Sequence, residues 1–358
     1  MATEKVPKKK PAFSPKYAIS GRLLANIKRI TEIVTELNSR NFSGVVLMEL
    51  EKKAREVSAF SSTSIEGNPL ALTDVKRILK TRPEHIRDSE REVLNYNKAL
   101  VELNGIIKEK KCAFGMSLIL KIQENVTKGL IEDHRCGRLR TEPVFVNNPK
   151  TRQTVYLPPD HADVPELLEG LLAYVKNNKH KIDPLILAGI FHKQFVVIHP
   201  FIDGNGRTTR LATKALLANM GLDTFNLFSF ENYYNKNVAN YFKEVGALGN
   251  YYDMRDHVDF TPWLEYFTDG IIDELLRVGK ELQKETVSPE KELKSYHRKI
   301  IGHIKKHGYI TDREYAALTD RAKPTRNLDF RKLIDLGIIE SVGKGRATHY
   351  KFKNSEIA

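Results

Sequence analysis

An apolar segment bounded by prolines restricts the fold of this chain more than any other feature. Asp183 followed by Pro184 is typical of a helix start, because the carboxylate can cap free N–H groups and proline suits the first helical turn. The segment that follows, up to residue 198, is apolar on nearly every side, and Pro200 disfavours helical geometry at His199. A helix without a polar face belongs in the centre of a helical bundle.

The rest of residues 17–284 is mostly helical in pattern. Apolar residues recur at three- and four-residue spacing over residues 19–37 and 45–64, and another helix is expected from about Asn205 to Gly221. The exception is residues 143–157, where two short β-prone runs flank a turn-rich stretch and predict a hairpin. A lone hairpin needs support from the bundle or from a bound partner. The expected fold class is therefore mainly α.

The last segment of the chain differs in composition and pattern. Helices are predicted over residues 297–307, 311–318 and 327–336, followed by a strand, a glycine-tipped turn and a second strand. This order is that of a winged-helix domain. The predicted domains are a disordered basic arm at 1–18, an N-terminal helical region at 19–110, a catalytic core at 111–285 and a winged-helix domain at 286–358.

The net charge of +13 is concentrated at the two ends of the chain. Residues 291–358 hold 16 Lys and Arg against 8 Asp and Glu, and residues 1–16 hold five Lys against one Glu. In the winged-helix domain, the cations lie where such domains meet DNA, in or before the third helix and at the wing tip. These cations are Arg321, Lys323, Arg326, Arg331, Lys332, Lys344 and Arg346. DNA binding, protein binding and simple solvation of this surface all stay open.

Three absences bear on the compartment. No apolar run reaches the ~18–20 residues that span a bilayer, and the N-terminal charges are not followed by the apolar stretch of a secretory signal. Two cysteines, Cys112 and Cys136, are too few for a disulfide framework. We therefore expect a cytoplasmic protein.

The segment that carries chemistry is His-Pro-Phe-Ile-Asp-Gly-Asn-Gly-Arg-Thr-Thr-Arg, residues 199–210. It places a titratable imidazole at the end of one helix, a carboxylate four residues later and a glycine-rich turn at the start of the next helix. Glycine turns let backbone N–H groups converge on an anion, and a helix N-terminus adds partial positive charge. Arg207 and Arg210 lie on one face of the new helix, where a cation in the first turn opposes the helix dipole by about 0.3–1 kcal/mol. A polyanion is therefore expected at this turn.

This segment resembles the motif of the Fic family at every fixed position, and the resemblance extends over roughly residues 50–285. It implies a Fic-type helical bundle with a β-hairpin flap, which transfers AMP from ATP to a Ser, Thr or Tyr hydroxyl of a target protein. It also implies that His199 is the base and that Asp203 holds Mg²⁺. The implied ATP-binding residues in the motif are Gly204, Asn205, Gly206, Arg207 and Arg210. Glycine at 206, where some branches have lysine, favours nucleotidyl transfer over phosphotransfer.

A second resemblance lies at the end of the helix predicted over residues 45–64. The stretch from Ser62 to Asn68, Ser-Thr-Ser-Ile-Glu-Gly-Asn, resembles the inhibitory motif of self-inhibited Fic proteins. A carboxylate at a helix C-terminus is disfavoured, so Glu66 needs a cationic partner. The resemblance implies that this partner is Arg210 and that Glu66 blocks the γ-phosphate. Ordinary helix termination is the alternative interpretation.

Two further positions are interpreted through the same resemblance. Residues 141–157 match the flap, on which a target protein would dock by strand addition, while a purely structural hairpin is the alternative. Tyr241 is assigned to the adenine pocket, although aromatic residues at helical spacing more often belong to a core. His192 lies two turns before His199 without a third ligand nearby, so we expect it at the edge of the core and not in a metal site.

Three hypotheses for function follow from the sequence. The first is AMP transfer inhibited by Glu66, the second is hydrolytic removal of AMP with the same residues, and the third is a DNA-binding regulator that senses nucleotide without turnover. The chain lacks the glycine-rich signatures of P-loop enzymes and of kinases or dinucleotide-binding proteins. A homodimer and nucleotide donors other than ATP are compatible with the sequence.

Overall fold

The structure is a computed structural model, and it describes residues 13–39, 44–81, 83, 85–109, 113–147, 153–220, 229–287, 293–336, 338–343 and 345–353. The described residues divide into two compact units. The first unit lies within Met1–Ser39 and Lys53–Arg277, and the second lies within Arg40–Lys52 and Val278–Ala358.

The first unit is a bundle of helices with one small sheet, so the predicted fold class, mainly α, is confirmed. Parts of α2 and α12 belong to the second unit. The helices are α1 (Gly21–Ser39), α2 (Gly44–Ile65), α3 (Leu72–Lys80), α4 (Asp88–Lys108), α5 (Met116–Thr127), α6 (Val164–Asn178), α7 (Pro184–Ile198), α8 (Asn205–Asn219), α9 (Glu231–Lys236), α10 (Val238–Val245), α11 (Tyr251–Met254) and α12 (Thr261–Val287).

Helix α7 is the central helix, as its apolar sequence predicts. Nearly all of its side chains are buried, and it packs against α6, α8 and α10. The carboxylate of Asp183 caps the helix by accepting a hydrogen bond of 2.8 Å from the N–H of Leu185. The helix ends at Ile198, and α8 begins at Asn205, both where the sequence predicts. Gly221, the predicted stop of α8, lies outside the described residues.

The predicted hairpin is present and carries an additional strand. Strands β1 (Val146–Asn147) and β2 (Thr154–Leu157) pair antiparallel, while residues 148–152 lie outside the described part of the chain. The additional strand, β3 (Gly249–Asn250), pairs parallel with β2. The support that a lone hairpin needs comes from the bundle, because Tyr156 of β2 packs with Val197 of α7 and with Tyr251.

The prediction of a disordered arm over residues 1–18 is wrong for residues 13–18. The ring of Phe13 makes edge-on contacts with Tyr174 and Phe260. The N–H of Phe260 donates to the carbonyl of Lys16 at 2.9 Å, which fixes this segment beside the start of α12. Because its ring is apolar, Phe13 packs against these aromatic residues and holds the segment in place. The lysines and prolines of the segment do not suggest this packing. Residues 1–12 lie outside the described part.

The second unit has the element order that the sequence predicts. Helices α13 (Ser295–His307), α14 (Asp312–Leu318) and α15 (Lys323–Asp335) precede the antiparallel strands β4 (Ile339–Val342) and β5 (His349–Phe352). Helix α15 begins four residues before the predicted start, because Pro324 suits a first helical turn. Met48, from the first part of α2, packs against the core of this unit, so residues 44–52 belong to it, which the sequence did not predict.

Two of the cations at the positions where winged-helix domains can meet DNA are paired within the second unit. Arg326 makes two hydrogen bonds of 2.8 and 2.9 Å to Asp312. Arg321 makes two bonds of 2.7 and 3.1 Å to the buried Asp329, and its guanidinium lies 3.7 Å from the ring centre of Tyr296. Internal carboxylates therefore neutralise both guanidiniums. Lys344 and the side chain of Arg346 lie outside the described residues.

Within the described residues, no helix combines the length and apolar character needed to cross a membrane. Cys136 is a free thiol whose Sγ lies 3.6 Å from the hydroxyl of Thr127. Cys112 lies outside the described part of the chain.

Candidate active site

His199 follows the last residue of α7 in a left-handed conformation. Its φ of 52° is the single positive φ of a non-glycine residue among the described residues. Its Nδ1 lies 3.3 Å from the carbonyl oxygen of Val196. A carbonyl can only accept, so Nδ1 carries the proton and Nε2 is the basic nitrogen. Burial lowers the pKa of His199 to about 4, which keeps the imidazole neutral at pH 7.

The loop after His199 is held in shape by glycine and asparagine. Gly204, with φ 79°, precedes α8, and a Cβ there would lie 2.7 Å from a methyl carbon of Thr127. The side chain of Asn205 accepts from the N–H of Phe201 at 2.9 Å and donates to the carbonyl of the same residue at 2.8 Å. The Asn205 side chain is therefore occupied in shaping the loop, which leaves its backbone N–H for an anion.

Arg210 is fully buried, and the end of α2 surrounds its guanidinium. Nε donates to the hydroxyl of Ser62 at 2.7 Å, and Nη2 donates to the carbonyl of Ser62 at 2.9 Å. Nη2 also donates to Oε1 of Glu66 at 2.7 Å, so the pairing expected from the inhibitory motif is present. Burial opposes the charge on Arg210, but the Glu66 carboxylate holds the pKa of the guanidinium above its usual value.

The Glu66 carboxylate lies directly against the backbone of Gly206. A Cβ at Gly206 would be 2.0 Å from Oε1 of Glu66 and 3.0 Å from Nη1 of Arg210. Gly206 is the second residue of α8, where N–H groups without helical partners and the helix dipole attract anions. Glu66 therefore lies beside the N-terminus of this helix, and a side chain at residue 206 would displace it.

Arg207 is nearly buried between two carboxylates. Its Nη2 lies 2.7 Å from Oδ2 of Asp203, and its Nη1 lies 2.8 Å from Oε1 of Glu92 on α4. The other oxygen of Glu92 accepts from the side-chain amide of Asn68 at 2.7 Å. Sequence reasoning missed Glu92, because nothing local distinguishes it from the other acidic residues of α4. Asn68, the last residue of the stretch from Ser62, is thereby linked to Arg207.

Asp203 is the residue of this site that could hold a metal ion. The described residues contain no cluster of three or more His, Cys, Asp or Glu side chains arranged around an ion. Mg²⁺ bound to a nucleotide needs only one or two protein carboxylates, since phosphate oxygens and water supply the other ligands. The Asp203 side chain is 44% exposed beside the anion position, so it fits an ion that arrives with phosphates.

The structure corrects the positions of Tyr241 and His192. Tyr241 is buried and stacks on Tyr234 with ring centres 4.7 Å apart, so its predicted contact with adenine is wrong for this structure. Only its hydroxyl approaches the site, at 3.5 Å from Nη1 of Arg210. His192 lies in the interior and not at the core edge, with Nε2 3.1 Å from the Tyr241 hydroxyl and Nδ1 3.0 Å from that of Thr213. Aromatic residues at helical spacing formed a core here.

Sequence comparison finds relatives for the part of the chain that contains this site. Residues 114–217 match the model of the Fic/DOC family. The Protein adenylyltransferase Fic of Aedes aegypti is 28% identical over 217 residues, and that of Drosophila melanogaster is 27% identical over 218 residues. Each alignment covers 55% of this chain and 42% of the relative, so the chain matches less than half of the length of these relatives.

Solved structures share the fold. A Fic family protein from Desulfovibrio desulfuricans G20 superposes with a TM-score of 0.63 at 22% identity, covering 95% of this chain and 98% of that chain. A segment of Fic-1 from C. elegans superposes with a TM-score of 0.57 at 20% identity, covering 74% of this chain and 73% of that chain. Identities in this range show the fold alone, and they confirm the predicted helical bundle.

Proposed function

We propose that this chain, which carries a Fic/DOC family domain over residues 114–217, transfers AMP from ATP to a hydroxyl side chain of a target protein and is inhibited by Glu66. The observation that carries the proposal is the Glu66 carboxylate, which Arg210 holds against Gly206 at the N-terminus of α8. A carboxylate at that position is held by the same groups that would bind a phosphate.

His199 supplies the base. Its Nδ1 proton is directed at the carbonyl of Val196, which leaves Nε2 to take the proton of a Ser, Thr or Tyr hydroxyl. The pKa of about 4 keeps the imidazole in the form that can accept a proton at neutral pH. An unperturbed histidine has a pKa near ~6.5, so burial makes His199 a weaker base that stays deprotonated at neutral pH.

The first turn of α8 binds the phosphates. Backbone N–H groups of Gly204, Asn205 and Gly206 face the α- and β-phosphates with help from Arg207, and Arg210 pairs with the γ-phosphate. The target oxygen forms a bond to the α-phosphorus while its proton passes to His199. The bond from the α-phosphorus to the oxygen that bridges to the β-phosphate breaks, and pyrophosphate leaves. Positioning and charge stabilisation are the enzyme's contribution.

Asp203 is assigned to the Mg²⁺ ion that accompanies ATP. When bound, Mg²⁺ neutralises charge on the phosphate oxygens. In this structure, Oδ2 of Asp203 pairs with Nη2 of Arg207, and the carboxylate would hold the ion beside that contact or in place of it. Arg207 also pairs with Glu92, so its guanidinium would keep a counter-charge if Asp203 turned to the ion.

Glu66 inhibits by occupancy of the γ-phosphate position. Its carboxylate takes one of the nitrogens of Arg210 and covers Gly206, so a triphosphate cannot adopt the same pose. Ser62 completes the arrangement by binding Arg210 through both its hydroxyl and its carbonyl. The sequence interpretation of residues 62–68 as ordinary helix termination does not account for these contacts.

The hairpin of residues 141–157 is the proposed docking site for the target. Strand β1 is at the edge of the three-stranded sheet, and Phe145 beside it is largely exposed, which suits strand addition by a peptide. The second unit is assigned to the winged-helix class from its element order. With Arg321 and Arg326 paired internally, no specific contact favours a DNA-binding regulator over the enzyme.

Hydrolytic removal of AMP is the alternative activity at the same site, and one experiment separates the two. The chain and its Glu66→Gly variant are incubated with Mg²⁺ and α-labelled ATP, with the proteins of a cell extract as acceptors. Label should appear on protein, should increase for Glu66→Gly and should be lost when His199→Ala is added. Mass spectrometry of a labelled protein should show an increment of one AMP.

A parallel incubation with γ-labelled ATP is the control, since pyrophosphate carries the γ-phosphate away from the protein. Label from the γ-position would contradict AMP transfer in favour of phosphotransfer. If Glu66→Gly instead abolishes the release of AMP from labelled proteins and never adds AMP, Glu66 serves a hydrolase. Labelling that is unchanged by His199→Ala would refute the assignment of the base.

A further inference from the structure

The C-terminal end of α7 is held by residues outside the motif. The last carbonyls of a helix have no partner within the helix, and elsewhere water or side chains satisfy them. Here the carbonyl of Phe195 accepts from the N–H of His199, and that of Val196 faces the imidazole. The carbonyls of Val197 and His199 have partners in the hairpin and in the segment that leads into it.

Arg140 is a buried cation that binds four carbonyl oxygens. Its Nε donates to the carbonyl of His199 at 2.8 Å, and its backbone N–H donates to that of Pro200 at 3.0 Å. The remaining guanidinium nitrogens donate to the carbonyls of Glu142 at 3.2 Å and Pro159 at 2.6 Å, which flank the hairpin. Arg140 therefore ties both ends of the hairpin to the turn that contains the catalytic imidazole.

Tyr156 makes a second connection from the centre of the sheet. It lies on the middle strand β2, aligned with Val146 on β1 and with Gly249 on β3. Its ring is buried against Val197 and Tyr251, and its hydroxyl donates to the carbonyl of Val197 at 2.8 Å. That carbonyl is two residues before His199, so the sheet contacts the last turn of α7 directly.

We infer that Arg140 and Tyr156 are positioning residues for His199, which hold its imidazole in the reactive orientation and couple it to the hairpin. A left-handed conformation is unfavourable for a non-glycine residue, so it persists only where surrounding contacts determine it. The contacts from Arg140 and Tyr156 fix the carbonyl of His199 itself and those of Val197 and Pro200 around it. This inference rests on the proposed function of His199 as the base.

The coupling has a consequence for catalysis. A target segment that pairs with β1 extends the sheet, and Tyr156, in the central strand of that sheet, bonds to α7. The same sheet therefore supports both the docked hydroxyl and the imidazole. Loss of either connection leaves the phosphate site intact, because neither residue contacts Arg207, Arg210 or the start of α8 in the described structure. Loss of either connection should therefore lower the rate of the chemical step and leave the affinity for ATP unchanged.

The test uses the Glu66→Gly protein as the active parent and compares Tyr156→Phe with Tyr252→Phe. Each change removes one tyrosine hydroxyl, but that of Tyr252 bonds to Asp160 and Asp163 and not to α7. Tyr156→Phe should lower the kcat of AMP transfer about 10- to 100-fold, as expected for a misplaced catalytic group, with the Kd for ATP within twofold of the parent. Tyr252→Phe should leave both unchanged.

Arg140 is tested with Arg140→Lys and Arg140→Met in the same parent. Lysine keeps the charge but cannot reach all the carbonyls, so it should recover part of the kcat that methionine loses. An independent readout is the ¹⁵N spectrum of the His199 ring, where Tyr156→Phe and both Arg140 variants should lose the signature of a single Nδ1–H tautomer. His199→Gln identifies that signal.

These experiments distinguish a failure of the proposed function from a failure of the positioning role of Arg140 and Tyr156. If the Glu66→Gly parent does not transfer AMP at all, the proposed function is wrong, and the ring spectrum still decides whether Arg140 and Tyr156 position His199. If the parent is active and Tyr156→Phe retains its kcat and the His199 tautomer, the positioning role is wrong. A parallel loss of ATP affinity and kcat in Tyr156→Phe would also overturn it, since it would indicate general disruption of the site.

Discussion

Replacement of Glu66 by alanine should destabilise the resting protein and, at the same time, tighten its binding of ATP. In the resting state, Glu66 provides the counter-charge for Arg210, whose side chain is fully buried. The same carboxylate occupies the position against Gly206 that a phosphate needs. One interaction therefore contributes to stability and opposes the ligand, so its loss should change the two quantities in opposite directions.

The magnitude follows from the contacts of Arg210. Removing one partner of a fully buried ion pair costs about 3–5 kcal/mol, and one hydrogen bond to a charged group is worth about 1.5–3 kcal/mol. The Glu66 side chain is 29% exposed, and Arg210 keeps both of its bonds to Ser62. The cost of removing Glu66 should therefore lie toward the lower of these two values. We expect the free energy of unfolding of the apo protein to fall by about 1–3 kcal/mol. The same free energy no longer opposes the nucleotide, which corresponds to ATP binding that is about 5- to 150-fold tighter.

Calorimetry measures the ATP affinity directly if turnover is prevented. His199→Ala serves as the background, because it removes the base without touching Arg210, and Mg²⁺ is present throughout. The Kd for ATP is compared with and without Glu66→Ala, and thermal unfolding is followed in the absence and presence of ATP. The apo protein with Glu66→Ala should melt at a lower temperature, and ATP should raise that temperature more than in its parent.

Asp74→Ala is the matched control, because it removes a carboxylate from an exposed ion pair whose partner is Arg77 and not Arg210. An exposed pair contributes little, so this change should leave the Kd for ATP unaltered. If Glu66→Ala leaves the Kd for ATP within twofold of its parent, Glu66 does not block the nucleotide. A tighter Kd without a loss of apo stability would contradict the counter-charge role of the pair.

Three further outcomes are expected. The kcat/KM of Glu66→Gly should stay constant as the pH falls to about 5 and should decline around a pKa near 4, because burial of His199 disfavours the imidazolium that cannot act as base; a decline centred near ~6.5 would contradict this. Gly206→Ala should destabilise the wild type more than it destabilises Glu66→Ala, since its Cβ would lie 2.0 Å from Oε1 of Glu66 and 3.0 Å from Nη1 of Arg210, and the shorter contact is lost with Glu66; additive losses in thermal unfolding would refute this coupling. Glu92→Ala in the Glu66→Ala background should weaken ATP binding about 3- to 10-fold by releasing Arg207, whereas unchanged affinity in calorimetry would exclude this role.

Local signals in the sequence predicted the frame of the site. Asp183 and Pro184 start α7, Pro200 follows its end, and Asn205 starts α8, each because a backbone preference acts within a few residues. The pairing of Glu66 with Arg210 was expected only through the resemblance to the Fic family. The spacing of residues within segments 62–68 and 199–210 does not indicate that the side chains of Glu66 and Arg210 are in contact.

The supporting residues could not be predicted, because they act over long distances in sequence. Arg140 resembles any arginine before a hairpin, and Tyr156 resembles any aromatic residue of a half-buried strand. Their hydrogen bonds to α7 depend on how the sheet packs on the bundle. The sequence likewise gave no sign that Arg321 and Arg326, which count toward the basic surface of the second unit, are bound by the internal carboxylates of Asp329 and Asp312.

The arrangement of charge around Arg207 and Arg210 would make the proposed inhibition by Glu66 reversible. Arg207 has two carboxylates near it, and one of them, Glu92, is held from behind by Asn68. Among the described residues, Arg210 forms an ion pair with one carboxylate, that of Glu66, which follows the end of α2. In the proposed mechanism, a triphosphate displaces this carboxylate and substitutes its own charge, while Arg207 stays paired with Glu92. Because burial of Arg210 requires an anion, removal of Glu66 without a bound phosphate leaves an uncompensated charge, so inhibition and stability depend on the same contact.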